Sequence, residues 1–273
     1  MIVKTLVENT AISDQLGSEH GLSLYIETKN RKVLFDLGAS DLFYENAKQL
    51  GVDLTDVDCV VISHAHNDHG GGLAKFLKIN TKADVLVRNI AFQPYYAMRA
   101  NGTLEEIGLD KSLAENRQIV LTPERFFIDN NMQLFSNIST PYPLPTSNQG
   151  LSAEEDGQVV PDPFRHEQIL VLEEDGKTLL LTGCAHNGIL NIVRHYYQLS
   201  GKFPDVVIGG FHLSSRSHGN ETDETIRSIG SDLLKTGAKY YTCHCTGLEP
   251  YRLLKEIMGD RIEYLAGGRT LSF

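Results

Sequence analysis

Short apolar runs, many of them rich in β-branched residues, recur in both halves of the chain. Each run spans four to six residues and is bounded by Gly, Asp or Asn, a pattern typical of buried β-strands. The runs predict strands at 2–7, 22–27, 32–36, 58–63, 169–172, 178–182, 205–208 and 239–242. Between them, helical periodicity predicts helices at 41–50, 72–77, 188–199, 223–236 and 250–258. This alternation predicts an α/β fold.

The two halves of the chain show the same order of elements. The first half reads VLFDLGAS, a helix and DVDCVVISHAH, and the second half reads LLLTGCAH, a helix and PDVVIGGFHL. A further strand follows in each half, within ADVLVRN and AKYYTCHC. This repeated pattern favours two structurally similar halves. Polar residues after these strands should then lie along one rim of the sheets, where open α/β sheets bind ligands.

The segment from about residue 90 to residue 166 interrupts this order. It contains the aromatic stretch QPYYAMR, the proline-rich stretch STPYPLPTSN and the acidic stretch SAEEDG. The density of proline argues against regular strands in this segment. It is either a long connection between the halves or a cap over the site, since long loops in compact enzymes often cover substrates. We treat residues 1–273 as one domain that includes it.

The composition is that of an ordinary globular protein. Of the 273 residues, 41% are hydrophobic and 22% are charged, which excludes wholesale disorder. The formal net charge of −10 disfavours binding to nucleic acid or to an anionic membrane surface. No stretch approaches the ~18 apolar residues that cross a bilayer, and the first ten residues do not resemble a secretory signal. We therefore expect a cytoplasmic protein.

Four side chains that can bind a metal fall within six residues, directly after the strand predicted at 58–63. They are His64, His66, Asp68 and His69. Imidazole together with carboxylate suits Zn, Fe, Mn or Co better than Ca. In an extended or turning segment His64 and His66 point to the same side and can bind one ion, whereas Asp68 and His69 can face a second ion. The glycines that follow allow a tight turn before the next helix.

The pattern His-x-His-x-Asp-His resembles the signature of the metallo-β-lactamase superfamily. The resemblance covers most of the chain and includes Asp36 in LFDLG, which matches an early Asp of the family. It implies a four-layered αββα sandwich of two similar halves, with a one- or two-metal site at the shared rim. It also implies that Asp36 supports the site through hydrogen bonds. The alternative is that Asp36 is a helix N-cap before Leu42.

The second half departs from the common pattern of this superfamily. Most members supply a His, an Asp in a Thr-Gly-Asp turn and a final His, whereas here Cys184 stands where the family has its bridging Asp. The stretches GCAHNGI, GGFHL and HCTG are similar to a particular subgroup. That subgroup includes archaeal enzymes that join a dihydropterin methyl diphosphate to an aminobenzene ribofuranosyl phosphate. Many other members are described only as hydrolase-like, so the resemblance does not identify the substrate.

The remaining metal ligands should come from the second half. His186 lies on the turn beside Cys184, and His244 follows the last predicted strand and matches the final His of the family. We expect both to bind metal, with His166 as an alternative to His186. Cys184 is either a thiolate that binds or bridges metal or a small buried thiol.

Other residues are assigned by their context. His212, at the repeat position of the His64 cluster, should contact substrate or donate a proton, with metal ligation as an alternative. Asp68 should orient a water or take its proton while it holds the second ion. We expect packing or ordinary surface positions for Cys243, Cys245, His20, His195 and His218.

A phosphate-bearing substrate would need cations near the rim. The candidates, each of which is otherwise an ordinary surface residue, are Arg88, Arg99, Arg125 and Arg216. Tyr95 and Tyr96 either stack on a planar ring such as a pterin or pack within the middle segment.

Three classes of function remain. The first is a transferase like the subgroup, the second is a metal-dependent hydrolase of phosphodiesters, lactones or thioesters, and the third is a non-catalytic metal-binding sensor. The density of candidate acids, bases and ligands at one rim favours an enzyme. We expect two divalent metal ions, zinc first and iron, manganese or magnesium as alternatives, and a small-molecule substrate that is phosphorylated if the subgroup resemblance extends to it.

Overall fold

The computed structural model describes residues 1–215, 217 and 219–273, so Arg216 and His218 lie outside the described residues. Along the chain the strands are β1 (Ile2–Val7), β2 (Ser23–Glu27), β3 (Lys32–Phe35), β4 (Cys59–Val61), β5 (Asp84–Arg88), β6 (Tyr95–Met98), β7 (Leu104–Glu106), β8 (Ile119–Thr122), β9 (Arg125–Phe127), β10 (Met132–Ser136), β11 (Leu151–Glu155), β12 (Gln158–Pro161), β13 (Gln168–Glu174), β14 (Lys177–Leu181), β15 (Val206–Gly209), β16 (Ser214–Ser215), β17 (Gly219–Asn220), β18 (Lys239–Thr242), β19 (Ile262–Tyr264) and β20 (Thr270–Ser272). The α-helices are α1 (Leu42–Gln49), α2 (Asn67–Gly70), α3 (Leu73–Ile79), α4 (Ile189–Ser200), α5 (Asp223–Leu234) and α6 (Leu248–Met258). The five predicted helices that form end within two residues of their predicted limits, as expected where helix ends fray.

Two seven-stranded sheets form the frame of the molecule. Their strand orders are β20-β1-β2-β3-β4-β5-β8 and β19-β18-β15-β14-β13-β10-β9. Parallel strands β3, β4 and β5 lie at the centre of the first sheet, and parallel strands β14, β15 and β18 lie in the second. The same order of parallel strands and helices in both halves confirms the repeat seen in the sequence.

The apolar residues of the central strands alternate between two packed faces. Val33 and Phe35 of β3 point into the core between the sheets, whereas Leu34 packs outward with residues of α1 and α3. In the second sheet Leu181 faces the same central core, and Leu180 packs outward against α4, α5 and α6. Because both faces of each sheet are covered, the strands read as continuous apolar runs. The layers are helix, sheet, sheet and helix, which confirms the predicted αββα sandwich.

The middle segment contains regular strands, contrary to the prediction from its prolines. Strands β8, β9 and β10 extend the two large sheets, and β12-β11-β6-β7 form a separate four-stranded sheet. The proline-rich stretch at 139–148 is indeed free of strands, but its composition does not represent the whole segment. Pro161 ends β12 at the edge of the small sheet, where a missing N–H costs no ladder bond. Among the described residues, no helix is long and apolar enough to span a membrane.

Candidate metal centre

The site is built from loops that follow the parallel strands of both sheets. Asp36 follows β3, and His64 follows β4 after two intervening residues. In the second sheet, Cys184 follows β14, His212 follows β15 and His244 follows β18. Asp36, His212 and His244 have left-handed backbone angles, with φ of 62°, 50° and 48°. Non-glycine residues in this region cost ~1–3 kcal/mol each and are concentrated at functional sites.

One group of side chains contains Asp68, His69 and His244. The Nε2 atoms of His69 and His244 are 3.3 Å apart, and Asp68 Oδ2 lies 3.3 Å from His244 Nε2. The second group contains His64 and His186, whose Nε2 atoms are also 3.3 Å apart. Both groups therefore present imidazole nitrogens to a common point.

Cys184 joins the two groups. Its Sγ atom lies 3.2 Å from His69 Nε2. The ligand atoms of Asp68, His69, Cys184 and His244 lie within 4.8 Å of one another, and so do those of His64, Cys184 and His186. His66 completes a further group with His64 and Asp68, and its Nε2 has no hydrogen-bond partner among the described residues.

Hydrogen bonds to the outer nitrogens fix the tautomers of two histidines in the first sheet. His69 Nδ1 donates to the Asp36 carboxylate at 2.6 Å. Ser63 Oγ donates its one proton to Asp36 at 2.7 Å, so it must accept the 2.9 Å hydrogen bond from His64 Nδ1–H. Both Nε2 atoms consequently carry a lone pair rather than a proton when the rings are neutral.

Two asparagines fix the tautomers of His244 and His186 in the second half of the chain. Asn9 accepts from His244 Nδ1 at 2.7 Å through Oδ1 and donates to the His244 carbonyl through Nδ2. Asn148 makes the same pair of contacts with His186, at 3.0 and 2.9 Å. With neutral rings, the four Nε2 atoms thus face one another across 3.3 Å in two pairs, an arrangement that a cation between them would stabilise.

Buried carboxylates hold the backbone of the same two histidines. Glu8 accepts from the His244 backbone N–H, and Glu167 accepts from the His186 backbone N–H at 2.7 Å. Each histidine is therefore held at its backbone N–H, its carbonyl and its Nδ1. These contacts leave Nε2 as the one nitrogen of each ring directed to the site.

The family model of the metallo-β-lactamase superfamily matches residues 16–205. The chain belongs to the metallo-β-lactamase superfamily. Members typically bind divalent metal ions, and the groups described above are candidate ligand sets for such ions.

Full-length relatives include both a synthase and a hydrolase. The chain is 28% identical to a 7,8-dihydropterin-6-methyl-4-(β-D-ribofuranosyl)-aminobenzene-5'-phosphate synthase of Methanocaldococcus jannaschii, over 99% of this chain and 96% of the synthase. It is 29% identical to an uncharacterised protein of the same organism, over 94% of each chain. The crystal structure of a metal-dependent hydrolase of the β-lactamase superfamily matches with a TM-score of 0.85 and 28% identity, covering 100% of this chain and 99% of that one.

The pKa values of the histidines at this candidate metal centre are shifted in opposite directions. Burial and neighbouring histidines hold the pKa of His64 and that of His186 well below the usual value, so both rings are neutral and available as ligands. Burial opposes the charged form of His69 as well, but the carboxylates of Asp36 and Asp68 outweigh it and raise its pKa to about 9. A site that favours positive charge on its own histidine also favours a bound cation.

The pKa values of Cys184 and Asp68 are also shifted by burial and by neighbouring charges. Burial raises the pKa of the Cys184 thiol well above its usual value, so deprotonation would require a bound metal ion. Burial also acts to raise the pKa of Asp68, but His69 and His244 outweigh it and hold that pKa well below its usual range. Asp68 is therefore an ionised oxygen donor.

These contacts bear on several sequence-based alternatives, among them His166, which also forms a candidate ligand group with His66 and Asp162. His166 accepts from Ala65 N–H through Nδ1 and donates to Asp162 through Nε2, so both of its ring nitrogens are engaged. Asp36 is not the N-cap of α1, which is Asp41. His195 packs on Phe135, as predicted, with ring centroids 5.5 Å apart.

Two packing assignments are wrong. His20 lies 3.3 Å from Asp68 Oδ2 and its ring contacts that of His244, so it belongs to the site. Cys243 is buried in the central core as predicted, but Cys245 lines the site with Cys184 and His212. The two cysteines diverge because β18 ends at Thr242 and the chain turns into a 3-10 helix at His244–Thr246.

A cavity of about 210 Å³ opens beside the candidate ligands. The small sheet contributes Ala97, Met98 and Leu151 to its wall, and His212 faces it from the second sheet. Arg99 lines the cavity, whereas Arg88 is buried against the carbonyl of Thr122 and Arg125 packs on Phe127 outside it. Tyr95 and Tyr96 do not line it. They bond Ile90 and Glu154 instead, as expected if they pack within the segment.

Sequence reasoning missed several supporting residues of the site. They are Glu8, Asn9, Ser63, Asn148, Asp162 and Glu167. The serine directly before His64 was a signal within reach, because a hydroxyl next to a predicted ligand is a natural partner for its second nitrogen.

Proposed function

We propose that the protein holds two divalent metal ions, with zinc as the expected metal and iron, manganese or magnesium as alternatives. The observation that carries this proposal is the convergence of four histidine Nε2 atoms in two pairs 3.3 Å apart. One ion would be held by His64, His66 and His186, and the other by Asp68, His69 and His244, with Cys184 as a shared ligand between them.

The proposed reaction is a condensation in which an arylamine displaces a diphosphate group. Full-length similarity to the dihydropterin-ribofuranosyl aminobenzene phosphate synthase supports it, as does the arrangement of ligands around a cavity for a small molecule. The substrates would then be a dihydropterin methyl diphosphate and an aminobenzene ribofuranosyl phosphate. A second candidate is hydrolysis, which the similarity to a metal-dependent hydrolase favours.

In either reaction the chain supplies orientation and a proton. Bound divalent ions would polarise a phosphoryl oxygen and lower the pKa of a water molecule to ~7. His212 is 8% exposed and faces the cavity, and neither of its ring nitrogens has a partner among the described residues. It can therefore donate a proton to a departing group. The ionised Asp68 can orient the attacking group, and the small sheet, which lines the cavity, would act as a cap over the bound substrate.

Turnover by the metal-loaded protein tests this proposal. We expect it to condense the two synthase substrates and to lose that activity when a chelator removes the metal. His212→Ala should lower kcat by ~10²–10⁴-fold while metal content stays unchanged, because the side chain is assigned to proton transfer. Full activity of His212→Ala would remove it from the mechanism. Activity on phosphodiesters or lactones, with none on the synthase substrates, would favour the hydrolase.

A further inference from the structure

The cavity extends beyond the candidate ligands to a wall built from three separate loops. Ser147 lies in the 3-10 turn Thr146–Asn148, Ser214 lies in β16, and Gly247 precedes α6. All three line the cavity, and β16 packs against both the Ser147 turn and the turn His244–Thr246. A Cβ atom at Gly247 would be only 3.1 Å from Ser214 Oγ, so this hydroxyl lies directly against the backbone at the start of α6.

Ser147 is a buried hydroxyl that lacks a partner. The residue is 3% exposed, and its Oγ atom makes no hydrogen bond with any described residue. Its turn is held in place because the buried Glu221 carboxylate accepts from the Thr146 backbone N–H. Buried polar atoms are nearly always paired, so the unpaired hydroxyl of this lining residue is a candidate partner for a bound ligand.

The start of α6 adds further donors to this wall. Gly247 is its N-cap and offers no side chain to bond the N–H groups of the first turn. Leu248 and Glu249 supply the N–H groups of this turn, since Pro250 has none, and the partial positive charge of a helix N-terminus favours anions.

The charge of the wall selects for an anion. Among the described residues that line the cavity, Asp68 is the one carboxylate, and it belongs to the candidate metal ligands. The other polar groups of the lining are hydroxyls, amides, imidazoles, thiols and the Arg99 guanidinium. The chain as a whole carries a net charge of −10, so a cavity lining with one carboxylate is a local departure from the acidic surface.

We propose that Ser147, Ser214 and the N-terminus of α6 bind a phosphoryl group of the substrate. This subsite rests on the proposed function, since the metal ions would lie in the same cavity. The two hydroxyls and the backbone N–H groups belong to three separate elements of one cavity lining, which suits a group with several anionic oxygens. The subsite would bind either the phosphate that stays in the product or the diphosphate that leaves. In both cases the substrate would be a phosphorylated compound.

Inorganic phosphate is the probe for this subsite. Its Kd would be measured by calorimetric titration of the full chain loaded with zinc, with metal content determined on the same samples. Ser147→Ala and Ser214→Ala should each raise Kd by roughly tenfold, because each removes a hydrogen bond to a charged group. Ser147→Asp should abolish binding by placing a carboxylate in the subsite. Ser231→Ala, an exposed serine of α5 that bonds the Arg227 carbonyl, is the matched control and should leave Kd unchanged.

Two results would overturn the subsite. One is phosphate binding that neither alanine variant weakens, which would place the anion on the metal ions alone. The other is an absence of phosphate binding in the zinc-loaded wild type. Metal content tests the proposed function separately, because a wild type without metal contradicts the dinuclear centre. In that case phosphate binding is compared between the metal-free wild type and the serine variants, and weaker binding by the variants still supports the subsite.

Discussion

At the residue scale, His186 and His244, the two candidate ligands of the second half, are held by the same set of hydrogen bonds. Asn9 and Asn148 each bond both the Nδ1 and the carbonyl of a histidine, and Glu8 and Glu167 bond the corresponding backbone N–H groups. These hydrogen bonds fix the tautomer and the direction of Nε2 before any metal binds. Preorganisation of this kind raises metal affinity because less order is lost on binding.

These hydrogen bonds predict a loss of metal affinity when Asn148 is truncated. Asn148→Ala should weaken metal binding at the His186 position by ~10–100-fold, because the ring loses the acceptor for Nδ1–H. The measurement is competition with a chromophoric chelator. Asn131→Ala, at an exposed position that does not line the cavity, serves as the matched control. Equal affinity in Asn148→Ala and wild type would show that the hydrogen bond does not position the ligand.

The residues within the His-x-His-x-Asp-His stretch could be predicted because the spacing itself carries the chemistry. Asn9 could not, since it lies 235 residues from His244 and has no local signal. Cys245 could not be separated from Cys243 by the sequence, because the two flank His244 alike and only the end of β18 at Thr242 and the turn that follows set them apart. Residue types near a strand end are readable from sequence, but the direction of each side chain depends on the turn.

At the element scale, the glycines after His69 allow two loops to approach closely. Gly71 lies at the end of α2, and a Cβ atom there would be 2.2 Å from the carbonyl oxygen of Ala39. Ala39 belongs to the loop that begins at Asp36, the residue that accepts a hydrogen bond from His69. The contact therefore packs this loop against the end of α2. Besides the tight turn that the sequence predicts for them, these glycines leave room for the neighbouring loop.

Gly71→Ala should therefore destabilise the fold even though its backbone angles suit alanine. Overpacking of this kind costs ~1–3 kcal/mol, which lowers Tm by several degrees in a chain of this size. Thermal unfolding followed by circular dichroism gives the measurement. Gly108→Ala is the control, because the nearest atom to its added Cβ would be 3.4 Å away. If both variants have the Tm of the wild type, the absence of a side chain at Gly71 is not required for stability.

The regular elements at the two ends of the chain could be predicted, whereas those of the middle segment could not. The strand runs of β3 and β14 are buried on both faces, so their apolar residues are continuous and easy to recognise. Strand β7 has three exposed residues and β12 has none that is fully buried, so neither carries an apolar signal. Their pairing with β6 and β11 defines them instead, and pairing partners are not visible in a local pattern.

At the scale of the whole molecule, the candidate centre lies between the two halves. His64, His66, Asp68 and His69 come from the first half, and Cys184, His186 and His244 come from the second. The repeat in the sequence predicted that both halves would contribute to one rim, and the fold confirms this arrangement of strands. Metal ions at that position would bind the native state and not the unfolded chain, so they would stabilise the two halves together.

Metal content per chain tests the central proposal most directly. Protein purified without added metal, then reconstituted with zinc and freed of excess, would be measured by mass spectrometry beside His64→Ala, His244→Ala and the packing control His195→Ala. Two facing ligand groups predict about two ions per chain in the wild type and in His195→Ala, with fewer in each of the other variants. A wild type that holds no metal, or a content unchanged by both ligand variants, would contradict the dinuclear centre.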